Sequence, residues 1–150
     1  MRYLSLRPTM IAAGLLAGLA SAAYTVPAQA ATLHFAAKMS GAQEVPPKSG
    51  AGTGMAMATL DTATGMLDYT VTFSGLSGPA TMAHFHGPAA AGKNAGVLVP
   101  LGKAPTSPIK GMAKLTPAEI KDFETGMVYV NVHTKANPGG EIRGQMEETK

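Results

Sequence analysis

The sequence predicts an all-β domain, a Greek-key β-sandwich of seven to eight mostly antiparallel strands with one short helix near 117–125. Three observations lead there. Gly and Pro recur at short intervals, 18 and 11 times in 150 residues, and cut the chain into segments too short for most helices. Those segments alternate apolar and polar residues with the period of two of a half-buried strand. The one helical stretch carries its own start signal: Thr116-Pro117-Ala118-Glu119 offers an N-cap Thr, Pro at the first helical position and Glu at the reciprocal capping position.

The elements follow in order. Residues 32–39 set Leu33, Phe35, Ala37 and Met39 against His34, Ala36 and Lys38, and Gly41 and Pro46-Pro47 end the strand. A second strand, 54–60, leads through Asp61-Thr62-Ala63-Thr64-Gly65, a hairpin loop with Gly at its end, into strand 66–74. There Leu67, Tyr69, Val71 and Phe73 fall on one face. Strand 80–86 carries Ala80, Met82, His84 and His86 on one face and Thr81, Ala83 and Phe85 on the other, and Gly87-Pro88 stops it. Residues 89–96 are a loop of small side chains, followed by strands 97–101 and 109–115. After the helix, which Gly126 ends, strand 127–134 turns Val128, Val130 and Val132 inward. His133 therefore shares the opposite face with Asn131 and Tyr129. Asn137-Pro138-Gly139-Gly140 is a turn, and strand 141–147 points Ile142, Gly144 and Met146 inward and Glu141, Arg143 and Gln145 outward. Met55 and Met57, on one face of a strand, read as flexible core fillers.

Residues 1–30 read as a secretory signal peptide and 31–150 as the single domain. Arg2 and Arg7 supply the positive start, an apolar stretch from 10 to 23 the middle, and Ala28-Gln29-Ala30 the small-x-small cleavage site. The apolar stretch falls short of the about 20 residues that span a bilayer, so no membrane anchor is expected after cleavage. The expected location is the periplasm or the exterior. Without Arg2 and Arg7 the excess of basic over acidic residues falls from three to one, and no basic cluster remains, which argues against a nucleic-acid partner. The chain has no cysteine, so neither disulfides nor a cysteine-linked lipid can hold it.

Several stretches resemble the CHRD domain, the repeat first described in chordin and also found singly in exported bacterial proteins. They are residues 40–47 (SGAQEVPP), 74–80 (SGLSGPA), 83–89 (AHFHGPA), 129–134 (YVNVHT) and 137–145 (NPGGEIRGQ), in the expected order along almost the whole domain. The resemblance implies an all-β fold and little about activity, because fold membership does not assign chemistry.

The chemistry is argued from histidines. Three of the four, His84, His86 and His133, lie in two short strands. His84 and His86 project from one face, about 7 Å apart along the strand. If their strand neighbours that of His133 and the last strand, His84, His86, His133, Glu141 and Arg143 gather on one polar surface. Three imidazoles suffice to ligate copper or zinc with a fourth position open. Met82 on the face of the pair and His34 in the first strand are weaker candidate ligands. Glu141 can orient a ligand histidine, and Arg143 can draw an anion toward the open position. Alternatively these two form a solvated ion pair of little energetic weight.

The expected function is an exported metal-binding protein, copper favoured and zinc possible, that buffers, carries or delivers the ion. No catalytic residue is expected, since neither a Ser-His-Asp nor a Cys-His set nor a phosphate loop is visible. The alternatives are a copper redox enzyme similar to Cu/Zn superoxide dismutase, several of whose metal ligands have no counterpart here, or a metal-independent module binding another exported protein.

Overall fold

The structure, a computed structural model, describes residues 30–150, so all but the last residue of the expected signal peptide lies outside the described residues. Nine strands form: β1 (Thr32–Ser40), β2 (Thr53–Asp61), β3 (Met66–Ser74), β4 (Ala80–His86), β5 (Val97–Lys103), β6 (Ile109–Lys114), β7 (Tyr129–Thr134), β8 (Ile142–Gln145) and β9 (Glu147–Thr149). A single 3₁₀ turn, Gly41–Gln43, follows β1, and helix α1 (Pro117–Glu124) joins β6 to β7.

The strands make one antiparallel sheet in the order β5-β4-β7-β8-β1-β2-β3-β6, with β9 also paired to β1. β1, β2 and β3 are a meander in unbroken register, Thr32 opposite Asp61 and Thr53 opposite Ser74. The chain then crosses to β4, and later from β6 to β7, so sequence neighbours are separated in the sheet. The edge strands β5 and β6 contact each other, and the sheet nearly closes on itself into a barrel-like sandwich. The expected last strand is interrupted at Met146, whose side chain is fully buried. β8 before it pairs with β7, and β9 after it pairs with β1.

The closed interior explains the alternation. Phe35, Ala37 and Met39 of β1, Leu67, Tyr69 and Val71 of β3, and Val128, Val130, Val132, Ile142 and Met146 form one buried cluster. Four rings knit its centre: Phe123 meets Phe35 edge-on at 5.3 Å and Phe85 at 5.7 Å, and Tyr69 meets Phe85 at 5.6 Å. Phe123 comes from α1, so the helix plugs the sheet. Its start is the capping box read in the sequence, with Thr116 Oγ1 accepting from Glu119 N and Glu119 Oε2 accepting from Thr116 N at 2.7 Å. It ends at Gly126, whose φ of 68° lets Met127 N reach Asp122 O and Gly126 N reach Phe123 O.

Two expectations are corrected. Met55 and Met57 are not core fillers: in β2 the inward face is Ala56, Ala58 and Leu60, Met55 is half-buried, and Met57 is 56% exposed. Residues alternate faces along β2, so with Ala56, Ala58 and Leu60 turned inward the two methionines fall on the outer face. Ala80 does not share the histidine face, because a register shift between Ala80 and Met82 turns Ala80 into the core beside Ala83 and Phe85.

Phe85 lies one residue from each histidine of β4 and is fully buried between Tyr69 and Phe123. Phe85→Ala is expected to destabilise the domain by about 3–5 kcal/mol in urea unfolding. A loss below about 1 kcal/mol would show that the ring cluster does not hold the sheet.

Candidate metal centre

β4 and β7 are adjacent, with Met82 opposite His133, His84 opposite Asn131 and His86 opposite Tyr129. Directly opposed residues share a face. Because Ala83, Phe85, Val130 and Val132 face the core, the three histidines, Asn131 and Tyr129 must all face the other way. β8 extends this face: Arg143 stands opposite Asn131 and Gln145 opposite Tyr129.

The three imidazoles converge. His84 Nδ1 lies 3.0 Å from His133 Nε2. Ring centroids are 5.3 Å apart for His84 and His86, 4.9 Å for His84 and His133, and 6.2 Å for His86 and His133. One nitrogen from each ring lies within 4.8 Å of the other two, and the cluster could hold a metal ion. His34 is remote from it, exposed on β1 and bonded through Nδ1 to Thr59 Oγ1 at 3.2 Å. Met82 borders the cluster opposite His133 and is 37% exposed.

Two rings are oriented by main-chain carbonyls, which accept only. His86 Nδ1 donates to Ala95 O at 3.1 Å and His133 Nδ1 donates to Pro138 O at 3.0 Å. Their protons are thereby committed to Nδ1, and each Nε2 is left with its lone pair. The loops after β4 and β7 supply these carbonyls, and they also cover the face. The expected open polar surface is in fact enclosed, with His86, Asn131, His133, Glu141 and Arg143 all less than a tenth exposed. Only His84 remains half-buried.

Glu141 and Arg143 lie on either side of this face in roles the sequence did not suggest. Glu141 does not touch the imidazoles. Its carboxylate accepts from Ser77 N and Oγ, Thr134 Oγ1 and Asn137 Nδ2 at 2.5–3.1 Å, which ties the loop after β3 to the loop after β7. Burial works against its charge, yet these bonds outweigh it and hold the carboxyl below its usual range. Nor is Glu141 an ion-pair partner of Arg143, for the only ion pair among the described residues is Lys121–Glu124. Arg143 does not face the histidines directly. Its guanidinium lies 3.4 Å over the Tyr129 ring, and the other side of Tyr129 stacks on His86 at 4.8 Å with 4° between the planes. It also donates to Asn94 Oδ1 at 2.9 Å and Lys93 O at 2.7 Å, so it holds the loop that presents Ala95 O to His86.

Glu44 is the residue that sequence reasoning missed, although it sits in one of the stretches that carry the family resemblance. Its side chain is buried, and Oε1 lacks a partner of full hydrogen-bond geometry. Burial pushes its carboxyl up to about 7, against the opposing pull of Arg143. The histidines move the other way. Burial, then the neighbouring His133 and His86, lower His84 to about 4. Burial also lowers His86 and His133, despite the carbonyls that they bond. The unfolded chain then binds more protons at its histidines than the native one does. Their contribution to stability is full above about pH 6.5 and is lost as pH falls toward His84's value. Glu44 opposes this, favouring the native state below pH 7.

An all-β domain with three imidazoles enclosed on one sheet face is the class of protein that this fold and site define. The chain belongs to the CHRD domain family, whose sequence model matches residues 35–146 and so includes all three clustered histidines. No curated protein and no solved structure matches it.

Arg143→Lys keeps the charge but loses the flat fork and the stacking face. It is expected to cost about 1–3 kcal/mol of stability and to shift the backbone amide signals of residues 93–95. An unchanged spectrum in that loop would show that Arg143 does not hold it.

Proposed function

We propose that this chain is an exported metal-binding domain that holds one copper or zinc ion between His84, His86 and His133, and that it buffers, carries or delivers that ion. The observation that carries the reading is the convergence of three ring nitrogens within 4.8 Å, with two rings held in the tautomer that leaves Nε2 free. Imidazole suits both metals. Copper is favoured because Met82 stands across from His133 on the same face, and its thioether suits Cu(I). The half-buried His84 and the exposed Met82 mark the side from which an ion would enter or leave. Export rests on the signal-like pattern of residues 1–30.

Calorimetric titration of the protein lacking residues 1–30 tests the reading. Zn²⁺ and Cu²⁺ are expected to bind one per chain. His84→Ala and His133→Ala should each weaken binding at least about 100-fold, or about 2.7 kcal/mol, and His34→Ala should leave it unchanged. Binding that survives both cluster substitutions, or that vanishes with His34, would refute the site.

Protons compete with metal for imidazole. Three ordinary imidazoles, each with a pKa of about 6.5, would lose more than about tenfold in zinc affinity between pH 7.5 and 6. Here all three rings are depressed, His84's to about 4, so the loss of affinity between pH 7.5 and 6 should be smaller than that tenfold. A loss of about tenfold or more over that range would contradict the depressed values.

A further inference from the structure

The proposed site has three nitrogen ligands, and one more polar atom is directed at it. Asn131 Oδ1 lies 3.0 Å from His86 Nε2. His86 donates from Nδ1 to Ala95 O, so a neutral His86 has no proton on Nε2 to give. Two acceptors thus face each other at hydrogen-bond distance with no proton between them. Turning the Asn131 amide over would cure this by bringing Nδ2 to His86, but the surroundings of the amide oppose it. Nδ2 now points at Gly139 O, 3.5 Å away, which can only accept, and lies beside Glu44 Oε1 around Gly140. Gly140, at φ 127, makes this approach possible, because a Cβ there would collide with Glu44 Oε1 and lie 2.7 Å from Asn131 Nδ2.

A cation resolves the conflict. Ligand atoms bound tetrahedrally to one ion at about 2.0–2.2 Å lie about 3.3–3.6 Å from each other. His86 Nε2 and Asn131 Oδ1, and likewise His84 Nδ1 and His133 Nε2, stand 3.0 Å apart, so each pair needs to open by only a few tenths of an ångström to admit an ion. We propose that Asn131 Oδ1 is the fourth ligand of the ion held by His84, His86 and His133, with its amide nitrogen turned toward Gly139 O. This rests on the three-histidine site and adds an oxygen that closes it. Such a donor set accommodates Zn²⁺ and Cu²⁺, and the thioether of Met82, across from His133, stays at hand for Cu(I).

The test uses Zn²⁺ and ¹⁵N-labelled protein. On zinc loading, the side-chain amide signals of Asn131 should shift together with the imidazole signals. Asn131→Asp, which keeps the oxygen and adds charge, should bind zinc at least about tenfold more tightly, and Asn131→Ala at least about tenfold more weakly. Asn131 amide signals that stay in place while the imidazoles move would overturn the fourth ligand and leave the three-histidine site standing. The labelled wild-type protein gives this result whether or not a variant folds. Zinc affinity within about twofold of wild type in both variants would overturn it equally. A wild-type protein that takes up no zinc would overturn the three-histidine site and the fourth ligand together.

Discussion

The pairing of β4 with β7 is the constraint on which the rest depends. Its register is set from the core side, where Ala83 and Phe85 meet Val132 and Val130. A slip of one residue would turn these side chains out of the interior and the histidines into it. Burial of each large apolar side chain is worth about 1.5–3 kcal/mol, so the hydrophobic side dictates the register and the imidazoles follow. The site is thus the back of the core, and its geometry is as rigid as the packing of Phe85 against Tyr69 and Phe123.

Polar groups enclosed in this way are costly unless they are bonded. The domain meets that cost with two loops tied down by two charged residues. Glu141 gathers four donors where the loops after β3 and β7 meet, and Arg143 holds residues 93 and 94 while it stacks on Tyr129. Each arrangement delivers a carbonyl to a ring: Pro138 O to His133 and Ala95 O to His86. Glu44 is the exception, a buried carboxyl whose Oε1 finds no full partner and whose ionisation is correspondingly hard.

Much of this was legible in the sequence wherever a side chain's face follows from the period of two. The strands, the capping box of α1, the inward valines of β7 and the shared face of His84 and His86 are of that kind, whereas the adjacency that brings His133 to them stood only as a condition. What escaped depended on contacts between distant segments. Nothing local in Ala80-Thr81-Met82 announces the register shift that turns Ala80 inward. The exposure of Met57 follows from which face of β2 the sheet turns inward, which its own composition does not reveal. Glu141 and Arg143 resembled a solvated pair because the loops that bury them lie far away in the chain. Asn131 and Tyr129 were correctly placed beside His133, but their roles come from Arg143 and His86, each on another element.

The most direct test of the central claim is the imidazole ¹H–¹⁵N spectrum of the protein through a titration with one equivalent of zinc. The account predicts that His84, His86 and His133 move together and reach saturation at one ion per chain, with His86 and His133 protonated on Nδ1 before zinc is added and His34 unmoved throughout. Nε2-protonated rings at 86 and 133, or zinc shifts confined to one of the three, would contradict it.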